Sequence, residues 1–212
     1  LLRDLAEGSG EPRPVRRSTI DASVAWDTVD SALFPTRGLR AELQSGVSGV
    51  LVEAGLSSAR LELDVVAHRM PANAIILTLA GEAETILPYR GSEVPISDRL
   101  YAGGSSSVRS FPQDALSPVN EEGLPVGGLT RLEATLEARL EAFSNFYLAL
   151  FYDVGMVARD RLSLSVPGHG VGLGVRYRLP VGPIRLDVAL NPGRTYAADR
   201  EWAIHFSIGS GF

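Results

Sequence analysis

The sequence predicts an all-β fold: an antiparallel sheet of about nine strands, of the kind that forms a transmembrane β-barrel. Three observations predict it. Apolar and polar residues alternate with a period of two along much of the chain. Many alternating segments run to about ten residues or more, longer than the common soluble strand of about 5–6 and suited to tilted spanning strands. No run of about 18 apolar residues occurs, so nothing reads as a transmembrane helix; barrel strands never give such a run.

The strands are read at 18–30, 37–48, 58–70, 73–87, 128–142, 144–157, 168–179, 182–191 and 201–212. In the second, Leu39, Ala41 and Leu43 oppose Arg40, Glu42 and Gln44. In the third, Leu61, Leu63, Val65 and Ala67 oppose Arg60, Glu62, Asp64 and His68. The stretch from Leu132 to Ala142 is ambiguous in isolation, because Leu132, Leu136 and Leu140 recur at helical spacing and the composition suits a helix. Strict alternation also holds there, with Arg131, Glu133, Thr135, Glu137, Arg139 and Glu141 on the other face. Flanked by strands, it is read as a strand. Phe146, Leu148, Leu150 and Tyr152 then oppose Tyr147, Ala149, Phe151 and Asp153. From Gly168 to Leu179 one face is Gly168, Gly170, Gly172, Gly174, Arg176 and Arg178. After a turn at Pro180 to Pro183, Ile184, Leu186, Val188 and Leu190 share a face. Pro88 to Gly127 is a long segment rich in Gly, Ser and Pro, the kind of loop that is often functional.

Composition narrows the function classes. The 212 residues are 45% hydrophobic and 21% charged, which argues against disorder. A net charge of -5 without a basic tail argues against a nucleic-acid partner. The absence of cysteine removes disulfides and thiolate metal sites. Leu1 to Glu11 is charged and lacks a signal-peptide core; the chain reads as a mature segment or an excised fragment.

Alternation alone fits two architectures. A soluble β-sandwich turns its apolar face inward, whereas a membrane barrel turns it to lipid and lines its lumen with polar groups. Two features favour the barrel. The polar faces mix both signs of charge densely, and the last strand carries Trp202, Ile204, Phe206, Ile208 and Phe212 on one face. Ten residues tilted about 45° span roughly 23 Å, close to the apolar band between aromatic girdles.

The segment Leu100-Tyr101-Ala102-Gly103-Gly104-Ser105-Ser106-Ser107-Val108-Arg109-Ser110-Phe111 resembles the sixth-loop motif of the BamA/TamA family of outer-membrane barrel-assembly proteins, with Ser110 where that motif usually has glycine. Phe151-Tyr152-Asp153-Val154-Gly155 resembles the family's Phe-x-Asp-x-Gly strand motif. Supporting matches are Phe34-Pro35-Thr36-Arg37-Gly38, Pro125-Val126-Gly127-Gly128 and Pro180-Val181-Gly182-Pro183-Ile184-Arg185-Leu186-Asp187, the last somewhat more TamA-like. Phe212 resembles the C-terminal aromatic signal of outer-membrane barrels. The matches run from about residue 26 to 212 in the family's order.

The resemblance implies the C-terminal part, about nine strands, of a sixteen-stranded barrel in the outer membrane of a Gram-negative bacterium, with residues 88–127 folded into the lumen and no room for POTRA domains. It implies that Arg109 pairs with Asp153, with Phe151 beside the guanidinium and Gly155 leaving space. On that reading the exchange of Arg109→Asp with Asp153→Arg restores what either single change loses. It implies a lateral seam whose one side is the last strand, Trp202 to Phe212, with Gly209 and Gly211 weakening its pairing. The expected activity is folding and insertion of client β-barrel proteins, or translocation of autotransporter-like clients, without covalent chemistry. The expected partners are outer-membrane lipids, nascent clients and periplasmic assembly subunits; no cofactor, metal or nucleic acid is expected. The alternatives are a protein-export pore of the same superfamily and a soluble β-sandwich binding module.

Other signals are set aside. Gly168 to Gly174 lacks the third glycine of a dinucleotide fingerprint and starts a strand. His68, His169 and His205 have no ligand spacing. Ser105 to Ser107 lack a nucleophile elbow. Glu133, Glu137 and Glu141 read as a charged lumenal face rather than catalytic carboxylates.

Overall fold

The computed structural model describes residues 18–49, 57–180, 182–193 and 201–209. Its strands are β1 (Thr19–Asp27), β2 (Gly38–Ser48), β3 (Ser58–Ala72), β4 (Ile75–Pro88), β5 (Thr130–Phe143), β6 (Phe146–Ala158), β7 (Gly168–Leu179), β8 (Gly182–Leu190) and β9 (Trp202–Ile208). They form one nine-stranded sheet in sequence order, each strand antiparallel to the next. The sheet is open, with β1 and β9 at its edges. Gly211 and Phe212, and the first seventeen residues, lie outside the described residues.

The burial pattern decides between sandwich and barrel. Large apolar side chains are outside: Leu150 is 54% exposed and Leu173 65%, and Leu136, Leu148, Val188 and Ile204 share that face. Charged ones are inside: Asp153 is 0% exposed and Arg176 2%, with Glu137, Arg185 and Asp187 also buried. In water this arrangement would leave the hydrophobic effect unsatisfied along most of the sheet. It suits a wall with lipid on its convex face.

The ambiguous segment is β5. Paired on both sides by β4 and β6, its backbone groups are satisfied by ladders, which overrides its helical propensity. The first strand ends at Asp27 rather than extending to residue 30. There the Asp27 carboxylate accepts the Val29 amide (2.9 Å), and Asp30 accepts the Thr36 and Arg37 amides (2.8 and 3.1 Å). These side-chain acceptors stop the ladder and shape a turn. The turn tucks Phe34 into the lumen against Tyr147, ring centroids 4.8 Å apart, and Ile76.

One end of the sheet holds the tightest turns, beside the ten-residue β1–β2 connection. Two-residue turns join β3 to β4 and β5 to β6, with Asn145 at φ 64 in the second. At the other end lie the long β4–β5 connection and the 159–167 connection. Outer-membrane barrels put short turns at the periplasm and long loops outside. The long loop enters the concave face from its own end of the sheet. It is held by isolated bridges Leu100–Gly128, Ala102–Leu116 and Val119–Pro125. Val108, Phe111 and Leu116 pack with Ala102 and with Val157 of β6 as a small apolar cluster inside the curve.

Candidate functional site

The loop's shape is set by Gly103 and Gly104, at φ 101 and 111, where L side chains are strained. A Cβ on Gly103 would also lie 2.6 Å from the Pro112 carbonyl. The resulting reversal, closed by the Gly104 amide donating to the Phe111 carbonyl (3.1 Å), presents Val108 to Phe111 to the wall.

Arg109 is at the centre. Its Nε and Nη2 donate to the two oxygens of Asp153, both at 2.8 Å, and its backbone amide donates to the same carboxylate at 3.1 Å. Nη1 donates to Glu137 at 2.9 Å and lies 3.6 Å from Asp187. The guanidinium carbon sits 3.4 Å from the Phe151 ring centroid, a stacking geometry that arginine's planar fork permits. The alternation of β6 puts Phe151, Asp153 and Gly155 on one inward face. Gly155 faces Val108: a Cβ there would be 2.7 Å from the valine side chain.

The sequence motifs name only part of this cluster. Arg176 donates to Glu137 at 2.9 Å and also pairs with Asp187, while Arg185 lies 3.4 Å from Asp187. Thr135 donates to Asp153 at 3.0 Å. Arg109 of the loop, Arg139 of β5, Arg176 of β7 and Arg185 of β8 thus interleave with Glu137, Asp153 and Asp187 of β5, β6 and β8. Their alternation to the polar face was the available signal; which of many such charges converge was not. His205 of β9 was also missed as a contact. Its Nε2 lies 2.8 Å from the Arg109 carbonyl; a carbonyl only accepts, so that nitrogen carries the proton.

The β7 glycines form the floor under the loop. A Cβ on Gly168 would meet Phe111 and Leu116 at 2.8 Å, and one on Gly170 would meet Ser110 Oγ at 2.9 Å. One on Gly172 would lie 2.3 Å from the Phe151 ring, so the missing side chain leaves room for the ring that Arg109 stacks on. Ser110 does not need a glycine's backbone here. Its hydroxyl donates to the His169 carbonyl at 2.7 Å.

Of the expected seam residues, Trp202, Phe206 and Ile208 lie on the outward face of β9, and Gly209 follows it at φ 113. None touches the Arg109 cluster; His205 on the opposite face does. Elsewhere Glu62, Glu82 and Glu84 bring carboxylates within 4.8 Å of one another. Arg131 bridges Glu82 and Glu84, and Arg60 stands 3.2 Å from Glu84, so arginines already supply the counter-charge. His68 bonds Thr78 at 2.9 Å.

An open antiparallel wall, apolar outside and charged inside, with a loop arginine anchored on its inner face, defines a segment of an outer-membrane β-barrel protein. Residues 6–212 match the model of the Omp85 superfamily domain, and the chain belongs to that superfamily. It is 28% identical to the outer membrane protein assembly factor BamA of Neisseria meningitidis serogroup B, over 90% of this chain and 28% of that protein. It is 25% identical to BamA of Nitratidesulfovibrio vulgaris (88% and 24%) and 22% identical to a SAM50-like protein of Schizosaccharomyces pombe (92% and 45%). The fold matches the crystal structure of BamA from Haemophilus ducreyi lacking POTRA domains 1–3, with TM-score 0.75 and 20% identity, over 90% of this chain and 42% of that one. The chain therefore spans under half the length of each of these relatives and is a partial barrel of the Gram-negative outer membrane. The relatives speak for the family as a whole, not for its TamA branch.

Proposed function

We propose that this chain is the C-terminal part of the barrel of an outer-membrane assembly factor, one that promotes folding and insertion of client β-barrel proteins. The observation that carries the reading is the anchored loop: Arg109 bridges Asp153 and Glu137 under the wall, and its carbonyl is held by the edge strand β9. The names of the BamA relatives supply the activity. In this reading the loop fixes the inner curvature while β9, paired on one side by β8, offers its other side to a client strand. The chain supplies one barrel segment, completed by strands from the rest of the protein, and periplasmic subunits bind outside it. No covalent step is involved.

The test is client folding by the full-length protein in liposomes, read as the heat-sensitive gel shift of a small unfolded barrel. The expected result is faster client folding with the protein than without it, and loss of most of that gain with Arg109→Ala. A protein that folds normally yet leaves client folding unchanged, while releasing a soluble passenger across the vesicle, overturns the reading in favour of export.

A further inference from the structure

The 159–167 connection divides into a polar half and an apolar half. In the first, Arg159 donates to the Val119 carbonyl, Arg161 to the Pro88 carbonyl (3.4 Å), and the Asp160 carbonyl accepts the Thr130 hydroxyl (3.0 Å). These contacts pin the turn over the rim of β4 and β5. At Leu162 the chain reverses with φ 50, rare for a residue with a side chain. Beyond it Leu162, Leu164 and Val166 are 75%, 81% and 62% exposed, alternating with half-buried Ser163 and Ser165.

The position of this apolar half follows from Met156. On β6, Met156 belongs to the outward face with Leu148, Leu150 and Tyr152, opposite Val157 in the inner cluster. Yet Met156 is buried, and the Ser165 amide lies 3.2 Å from its sulfur. The segment therefore folds down over the outside of the wall and turns its three aliphatic side chains away from the protein. Ten residues separate Phe146 from Met156, a rise of roughly 23 Å for a strand tilted about 45°. That is about the height of the apolar band, so the segment lies at the band's outer margin, continuous with the lipid-facing leucines below.

We propose that Leu162, Leu164 and Val166 form an external lipid anchor, a flap whose aliphatic side chains enter the acyl chains of the outer leaflet and fix the barrel's depth there. Continuity with the lipid-facing wall commits the occupant to lipid. The inference rests on the membrane placement of the wall and is independent of client assembly.

The test uses the full-length protein in phosphatidylethanolamine–phosphatidylglycerol vesicles. This chain has no cysteine, so single cysteines can carry a nitroxide once any elsewhere in the protein are replaced. Labels at Leu164→Cys and Val166→Cys are compared with Leu150→Cys on the wall and Glu122→Cys on the exposed long loop. The expected result is an oxygen-to-nickel-chelate collision ratio at 164 and 166 close to that at 150 and several-fold above that at 122. Leu164→Glu should lower the ratio at 166 towards the aqueous value. A label at 164 as open to the chelate as the one at 122 overturns the proposal, and so does one shielded from both reagents, which means that protein covers the flap. A label at 150 that reads as aqueous instead overturns the membrane placement itself.

Discussion

Strands β6 and β1 carry the same kind of alternation in opposite surroundings. Every inward residue from Tyr147 to Val157 on β6 is buried, whereas all nine residues of β1 are exposed. Both are part of one sheet, and both put carboxylates on the inner face. Two things differ: Val108 to Phe111 and Leu116 lie over β5 to β7, whereas β1 is the free edge of the sheet. The dry, ion-paired interior is thus made by the loop and the wall together, with Arg109 joining ion pairs that the strands also make among themselves. Removing water there makes each charge depend on its partner.

Breaking the anchor should make β6 resemble β1, and the largest effect is expected there. Asp153→Ala leaves Arg109 without its bidentate partner inside a closed cluster, a loss on the order of 3–5 kcal/mol; it should appear as protease cleavage within residues 100–127 and a lower temperature for loss of the folded gel band. Reciprocal exchange of Arg109 and Asp153 is a poor probe, a correction to the two-residue picture. An aspartate at 109 would face Glu137 and Asp187, which stand 2.9 and 3.6 Å from Nη1. The exchange is expected to recover little.

The comparison sharpens with glycines. Gly172→Val drives a Cβ against the Phe151 ring and the Val188 carbonyl (2.3 and 2.4 Å), and overpacking of this kind costs about 1–3 kcal/mol. Gly46→Val on β2 meets only the movable Asp21 carboxylate (2.4 Å). Thermal melts in detergent should separate the two; equal shifts would sink the idea that the wall around Phe151 is packed more tightly than the wall beside β1.

His205→Ala removes one hydrogen bond between β9 and the loop, about 0.5–1.5 kcal/mol. Amide exchange should quicken in β9 and around Arg109 while the Asp153 contacts persist, and His205→Gln should recover part of the protection. Unchanged exchange in β9 would mean that the edge is not coupled to the loop.

The smallest effect is expected at Asp30, in the turn beside β1. Burial pushes its carboxyl up, but the Thr36 hydroxyl and the Thr36 and Arg37 amides outweigh this and hold it below the ordinary carboxylate value. A lowered folded value means that the group stabilises the turn above its ordinary pKa, and that this contribution fades as pH falls through the lowered value. Exchange at the Thr36 and Arg37 amides should therefore rise only in acid, and Asp30→Asn should remove that dependence.

Much of the fold was legible because a strand exposes its two faces to different solvents, and period two records that directly. Nine strands follow from it in order, β5 included once its neighbours are strands. The strand ends were less legible, since Asp27 and Asp30 stop β1 through side-chain acceptors that alternation does not register. Of the Arg109 cluster, the resemblance to the family's loop and strand motifs indicated Arg109, Phe151, Asp153 and Gly155. Glu137, Arg176, Asp187 and His205 come from other strands and were only polar positions among many.

The sequence by itself determined an alternating all-β chain with a long glycine-rich loop, because side-chain direction along a strand is a local property. Only the tertiary structure decided which face is dry, which charges meet and where the 162–166 segment lies. Those depend on register across neighbouring strands and on the loop's path, and both are set by residues far apart in the chain.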